Sequence, residues 1–253
     1  MDRRLEVAIA AARAAGAVAL SYFRTGLTVE RKADHSPVTI ADREAEQRAV
    51  AVLRDAFPDH GILGEEFGEQ GGAGPRWIID PIDGTKSFIR GIPFFATLIA
   101  LEEDGEITTG AVYAPAVDDL LYARKGAGAF DGHGPLRVSS IDTLRRSMLV
   151  FGGPSALRSR GYWSAYERLV DRSGRQRAYG DYFAYTFVAR GQAEAMIDVG
   201  LKPWDLAALK IIIEEAGGRF TDITGRSTAF GGSAVASNGL VHDEILQLIN
   251  NGA

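Results

Sequence analysis

The stretch Trp77 to Phe88, WIIDPIDGTKSF, constrains this chain more than any other. It opens with the apolar run Trp77-Ile78-Ile79, which reads as a buried strand. Asp80 stands where that strand should end, and Pro81, with no N–H to donate, is expected to stop the ladder. Asp83 follows, and Gly84 lets the backbone turn close past a neighbour. Two carboxylates at the mouth of a buried strand are costly to desolvate unless something positive stands beside them. No basic residue lies between Trp77 and Asp83, so a divalent cation with oxygen ligands, of the Mg2+ kind, is the simplest partner. The competing reading is an Asx-Pro turn with a second Asp near a helix start, and spacing alone leaves both open.

The chain has 253 residues, 46% of them hydrophobic, enough to bury a core as one large domain or two fused halves. A net charge of -5 without a long basic run argues against nucleic-acid partners and anionic membranes. There is no cysteine, which removes disulfides, thiolate chemistry and cysteine-ligated zinc. Met1-Asp2-Arg3-Arg4 leads into an Ala-rich periodic segment rather than a signal peptide. No window is expected to reach the length of a membrane span, and a cytoplasmic location is the expectation.

Leu5 to Phe23 has apolar positions at helical spacing, with Gly26 as the stop. Leu27 to Arg31 reads as a short strand delivering Lys32 into a polar loop, Ala33 to Pro37. Thr39 resembles an N-cap with Asp42 completing a capping box, and a helix is expected from Ile40 to about Phe57. Asp42 is therefore either a capping acid or a residue near the site. Ile62-Leu63-Gly64 leads to the acid pair Glu65-Glu66, which either projects into a cleft or is simply solvated. Gly68 to Gly74 has too little apolar content to pack and reads as a mobile loop.

Phe94 to Leu101 and Ile107 to Tyr113, joined through Asp104-Gly105, form a hairpin signal. Leu120 to Ala123 suggests another strand, and Gly126 to Gly134 a loop-rich connection. From Ile141 the pattern alternates. Strands are expected at 148–151, 175–179, 195–198, 219–222 and 233–236, with helices at 161–171, 181–190, 203–216 and 241–249. The expectation is two packed halves of one unit, an N-terminal α+β half (about 1–140) and a C-terminal α/β half (about 141–253), with a cleft between them.

Pro203-Trp204-Asp205 opens one of these helices, where an acid in the first turn is favourable in its own right. The same position suits a ligand held at a helix start. Asp198, at a strand end, could reach the same space. His35, His60, His133 and His242 fall in expected loops or helix starts, more often surface positions than catalytic ones.

Gly64-Glu65-Glu66, DPIDGTKSF from Asp80 to Phe88 and KPWDLAALKIIIEEAGG from Lys202 to Gly218 together resemble the inositol monophosphatase superfamily. The resemblance covers nearly the whole chain, with all three signatures in order. It implies a layered αβαβα sandwich of the inositol monophosphatase and fructose-1,6-bisphosphatase type. It also implies a lithium-sensitive phosphatase with two or three Mg2+ ions per site, and a homodimer. Carried over by position, Glu65, Asp80, Asp83 and Asp205 become side-chain metal ligands, with the carbonyl of Ile82. Thr85 would help Glu65 orient the attacking water, and the N–H groups of Gly84 and Thr85 would hold phosphate oxygens. Asp42 would stand beside a weaker metal site, with Lys32 next to it. The implied chemistry is in-line attack by a metal-activated water, without a phosphoenzyme.

Lys86 in DGTKSF, IRGIPFFATLIALEEDG, RAYGDYFAYTFVARG and GGSAVASNGLVHDEIL resemble the histidinol-phosphate phosphatase branch, which serves histidine biosynthesis. Histidinol phosphate carries an ammonium and an imidazole, which Asp181 and Asp198 could pair. Asp181 could equally cap the helix it begins. The alternatives are an inositol-phosphate or broad sugar-phosphate phosphatase, a 3′-nucleotidase acting on adenosine bisphosphate, and a non-catalytic metal or phosphate binder.

Overall fold

The computed structural model describes residues 2–33, 36–72 and 74–250. Helix α1 (Arg3–Tyr22) begins on Asp2, whose carboxylate accepts from the Arg4 N–H at 2.9 Å. A two-residue ribbon, β1 (Glu30–Arg31) with β2 (Pro37–Val38), leads to α2 (Ile40–Ala56). The first strand is thus shorter than the sequence suggests. Buried Ala8, Ala11, Ala12 and Ala15 of α1 meet Ala45 and Ala49 of α2 in one cluster. Their small side chains let the two backbones approach closely.

Next come β3 (Gly61–Gly64), β4 (Gly68–Gln70), β5 (Arg76–Asp83), the short helix α3 (Thr85–Phe88), β6 (Ala96–Glu103) and β7 (Glu106–Ala114). Strands β8 (Asp119–Arg124), β9 (Gly128–Asp131) and β10 (Gly134–Pro135) complete a sheet of order β10-β9-β8-β7-β6-β5-β3-β4. The β6–β7 hairpin turns through Asp104 and Gly105, both at positive φ, as the Asp-Gly signal requires. Two expected loops are partly strands. Gly68, Glu69 and Gln70 pair with Gly64, Leu63 and Ile62, and β9 pairs with β8. Backbone bonds to a neighbouring strand, absent from any local composition signal, hold both.

The second half carries β11 (Met148–Phe151), α4 (Pro154–Ser159), α5 (Trp163–Arg172), β12 (Arg175–Ala178), α6 (Asp181–Ala189) and β13 (Ala195–Val199). It ends with α7 (Pro203–Glu215), β14 (Arg219–Thr221), β15 (Ser233–Ser237) and α8 (His242–Asn250). Its sheet runs β12-β11-β13-β15-β14, with β11 parallel to both neighbours. Helix α4 is additional to the sequence expectation.

Side-chain alternation along the strands builds the layers. On β5 and β6, Trp77, Ile79, Ile99 and Leu101 face α1 and α2. Ile78, Leu98 and Ala100 face the other way, onto Leu206, Ala208 and Ile212 of α7. That same cluster takes in Val150, Met196 and Ala236 of the second sheet. Leu149, Phe151 and Ile197 point outward to Leu157, Leu169 and Ile245 of α4, α5 and α8. The result is the αβαβα sandwich, with α6 and α7 as the shared middle layer.

Contrary to expectation, α1 is long and apolar enough to cross a membrane, with a mean hydropathy of 1.4. Alanine supplies that value, and its alanine face is packed in the core.

Candidate active site

Strand β5 does not stop at Pro81. Asp80 pairs with Leu98 but Asp83 with Ala96, so β5 carries one extra residue there, a bulge. A bulge tolerates a residue without an N–H, and the Pro81 carbonyl accepts from Thr97 Oγ1 at 2.8 Å. In a regular strand Asp80 and Asp83 would point to opposite faces. The extra residue turns both carboxylates into one cleft. Gly84 follows at φ 86, a left-handed conformation costly for any residue with a Cβ, and begins α3.

Asp205 joins them from α7. It sits in the first turn behind Pro203, and its Oδ2 accepts from the Lys202 N–H at 2.7 Å. Oxygen atoms of Asp80, Asp83 and Asp205 lie within 4.8 Å of one another. Capping and clustering, posed as alternatives by the sequence, are both present. Burial, and then the neighbouring acids, push the carboxyls of Asp80 and Asp83 well above the ordinary carboxylate range. Burial also raises Glu65 and Asp205. Among the described residues, no Lys or Arg pairs with Asp80, Asp83 or Asp205. An oxygen-only donor set with uncompensated charge fits Mg2+.

Glu65 stands at the end of β3, its N–H donating to the Ile79 carbonyl at 3.2 Å, and its carboxyl is in hydrogen-bonding reach of Asp80. It is not solvated. Lys32 Nζ lies 2.8 Å from Glu65 Oε1 and 2.6 Å from Glu66 Oε1. A basic residue is therefore present after all, brought in by the β1–β2 ribbon from far upstream, though it compensates the Glu pair rather than the Asp cluster.

Asp42 serves two masters. Its Oδ2 accepts from the N–H and hydroxyl of Thr39, both at 2.7 Å, closing the capping box of α2. Its Oδ1 accepts from the Thr85 hydroxyl at 3.3 Å. That hydroxyl also lies 3.0 Å from the Ile82 carbonyl, so Thr85 is turned to Asp42 and Ile82 rather than bonded to Glu65.

Lys32, Glu65, Asp80, Ile82, Asp83, Thr85 and Asp205 line a cleft of about 570 Å³, with Asp181, Tyr185, Asp198 and Gly200 also on its wall. Asp181 does not cap α6: the capping position is Gly180, with no side-chain bond, and Asp181 itself has φ 58. The N–H of Tyr182 donates instead to Asp83 Oδ2, so the carboxylate from β5 pins the start of α6. Burial raises Asp181 and Lys86 opposes it. Asp198 is buried at the end of β13, accepts from the Val199 N–H at 2.7 Å, and is pushed up by burial to about 7.

Sequence reasoning passed over Glu46 and Tyr185. Glu46, fully buried on α2, accepts from the N–H groups of Glu66 at 2.8 Å and Phe67 at 3.1 Å. It thereby fixes the turn that carries the acid pair. Its place one helical turn beyond Asp42, on the face of buried Ala41, Ala45 and Ala49, was the available signal. His242 is not a surface residue: it is fully buried, between Thr221 Oγ1 at 2.9 Å and Ser237 Oγ at 2.8 Å. His60 stacks on Phe57, His133 is exposed as expected, and His35 lies outside the described residues.

The inositol monophosphatase family model matches residues 1–252. A histidinol-phosphatase of Mycobacterium tuberculosis (strain ATCC 25618 / H37Rv) is 45% identical, the match covering 89% of each chain. A fructose-1,6-bisphosphatase/inositol-1-monophosphatase of Thermotoga maritima (strain ATCC 43589 / DSM 3109 / JCM 10099 / NBRC 100826 / MSB8) is 37% identical, over 99% of this chain and 96% of the relative. The crystal structure of extragenic suppressor protein suhB from Bartonella henselae superposes with a TM-score of 0.93 at 31% identity, covering 100% of both chains. With the αβαβα layers and the clustered acids, these matches lead to one conclusion: the chain belongs to the inositol monophosphatase family.

Proposed function

We propose that this cleft hydrolyses a small phosphate monoester with Mg2+, and that histidinol phosphate is its preferred substrate. The observation that carries the reading is the convergence of Asp80, Asp83 and Asp205, from two separate elements, on one buried point. Together with Glu65 and the Ile82 carbonyl they would hold two or three Mg2+ ions. When bound, such ions neutralise phosphate charge and acidify a water.

The chain's own groups do the rest. Glu65, part-buried and within hydrogen-bonding reach of Asp80, would take a proton from the attacking water. Thr85 and Asp42 form a bonded pair that holds the start of α3 in place. Gly84 and Thr85 line the cleft, where their N–H groups would serve as phosphate donors. Asp181 and Asp198 offer negative charge to the leaving alcohol, which suits the ammonium and imidazole of histidinol. The relative named histidinol-phosphatase is the more similar of the two enzymes compared, at 45% against 37%. Lithium sensitivity, a homodimeric state, a cytoplasmic location and behaviour as one unit of two packed halves complete the reading.

The second reading is an inositol-phosphate or sugar-phosphate phosphatase, favoured by the Thermotoga maritima relative's name. A 3′-nucleotidase ranks below both. The deciding experiment compares kcat/KM for histidinol phosphate and inositol 1-phosphate, with Mg2+ and with chelator. A Mg2+-dependent preference for histidinol phosphate is expected. A tenfold preference for inositol 1-phosphate would replace the substrate assignment, and no phosphate release from any ester would leave a non-catalytic binder.

A further inference from the structure

Gly152 follows β11 and is buried against the end of β13, its N–H donating to the Ile197 carbonyl at 3.1 Å. Its φ is not in the left-handed region, so the backbone does not call for glycine here. The space around it does. A Cβ on Gly152 would stand 2.1 Å from both Cγ and Oδ1 of Asp198 and 2.3 Å from Oδ2. These near-equal distances turn the flat face of the carboxyl group towards Gly152. Ordinary contacts are about 3.5–4.0 Å, so a methyl at 152 and the carboxyl in its present place exclude one another. Strand β13 is bonded along both edges, to β11 and to β15, with Asp198 opposite Ala234. Asp198 also lines the cleft, yet it stands outside the cluster of Asp80, Asp83 and Asp205. Among the described residues no Lys or Arg pairs with it. A carboxylate accepts hydrogen bonds, which an alcohol's O–H or N–H groups supply and a phosphate dianion does not.

We infer that Gly152 is a positioning residue for Asp198: its missing Cβ lets the carboxyl group sit back in the wall and so sets the room left for the alcohol half of the ester. This rests on the phosphatase reading, with Asp198 at the alcohol. A side chain at 152 would drive the carboxyl more than about 1 Å towards the cleft, because the strand that carries it is fixed on both edges. The phosphate half is held by other groups, Gly84, Thr85 and the Asp cluster, and should not feel the change.

The test is a cycle of four proteins: the parent, Gly152→Ala, Asp198→Ala and the double variant. Each is assayed with Mg2+ on whichever of histidinol phosphate and inositol 1-phosphate the parent prefers. Gly152→Ala is expected to raise KM about tenfold, the worth of one hydrogen bond to a charged group, with kcat within about threefold of the parent. Inorganic phosphate has no alcohol half, so its inhibition constant should stay within about twofold. Asp198→Ala should raise KM as well, and adding Gly152→Ala to it should change KM by less than about twofold, because the methyl then meets no carboxyl. The double variant should melt within about 3 °C of Asp198→Ala, and this comparison decides the matter if Gly152→Ala alone is too unstable to assay. Equal KM rises from Gly152→Ala in both backgrounds, an unchanged KM, or phosphate inhibition weakened in step with the ester would overturn the inference and leave the phosphatase reading standing. A double variant clearly less stable than Asp198→Ala would do the same. A parent that releases phosphate from no ester would remove both.

Discussion

Replacing Gly64 by Ala tests how the Glu65-Glu66 turn is held. A Cβ at Gly64 would fall 1.8 Å from Glu46 Oε1 and 2.4 Å from its Cδ. Neither contact can persist, and Glu46 is fully buried in a close-packed interior. Displacing it unpairs the N–H groups of Glu66 and Phe67. Each unpaired, part-buried donor costs up to about 1–3 kcal/mol, and forcing a methyl into a packed site adds about 1–3 kcal/mol. Gly64→Ala should therefore lose roughly 3–9 kcal/mol, a large part of the ~5–15 kcal/mol that holds a domain together. Glu46→Ala loses the two bonds without the clash, about 2–6 kcal/mol. The double variant is the sharp case: with the carboxylate gone the methyl has room, so it should match Glu46→Ala to within about 0.5 kcal/mol. Urea unfolding of all four proteins at one pH measures this cycle. Additive losses, or a Gly64→Ala variant as stable as the parent, would refute the account of Glu46 as the residue beneath the turn.

Asp83→Asn keeps an oxygen for the Tyr182 N–H, so circular dichroism should be unchanged while kcat falls about 100-fold or more through the lost ligand charge; near-parental turnover would contradict the metal assignment. Burial and the neighbouring acids raise the carboxyls of Asp80 and Asp83, and a bound cation favours their charged form, so Mg2+ binding should be accompanied by proton release. Calorimetry in two buffers of different ionisation enthalpy reads this, and identical heats would count against it. His242 is held down to about 4, mainly by burial. Its folded value lies below its unfolded one, so its contribution to stability is complete above about pH 6.5 and is lost as pH falls towards 4, roughly 3 kcal/mol at most. Glu46 and Asp198 are raised to about 7 and act in the opposite direction over the same range, so the wild-type profile alone does not isolate His242. The stability gap between the parent and His242→Gln should narrow as pH falls from 7 to 4; a constant gap would rule this out.

Local chemistry made much of this molecule legible. The Thr39–Asp42 capping box, the Asp-Gly hairpin, Pro203 at a helix start and the alternating run 148–249 are patterns a few residues long, and each element formed nearly where expected. Elements held by a partner strand were not legible. Gly68–Gln70 looks like a loop because its strand character comes from pairing with the backbone of β3, and Pro81 looks like a terminator because a bulge cannot be read from one strand.

The site divides the same way. The acids themselves, Glu65, Asp80, Asp83 and Asp205, stand out by type and motif. Their mutual distances do not, because one extra residue in β5 decides which way two carboxylates point. Lys32 beside Glu65, Glu46 beneath the turn, Asp83 at the start of α6 and Gly152 against Asp198 follow from packing between elements distant in sequence. Residue chemistry is a property of the chain, so the sequence determined what could bind. Proximity is a property of the layers, so only the folded molecule decided where.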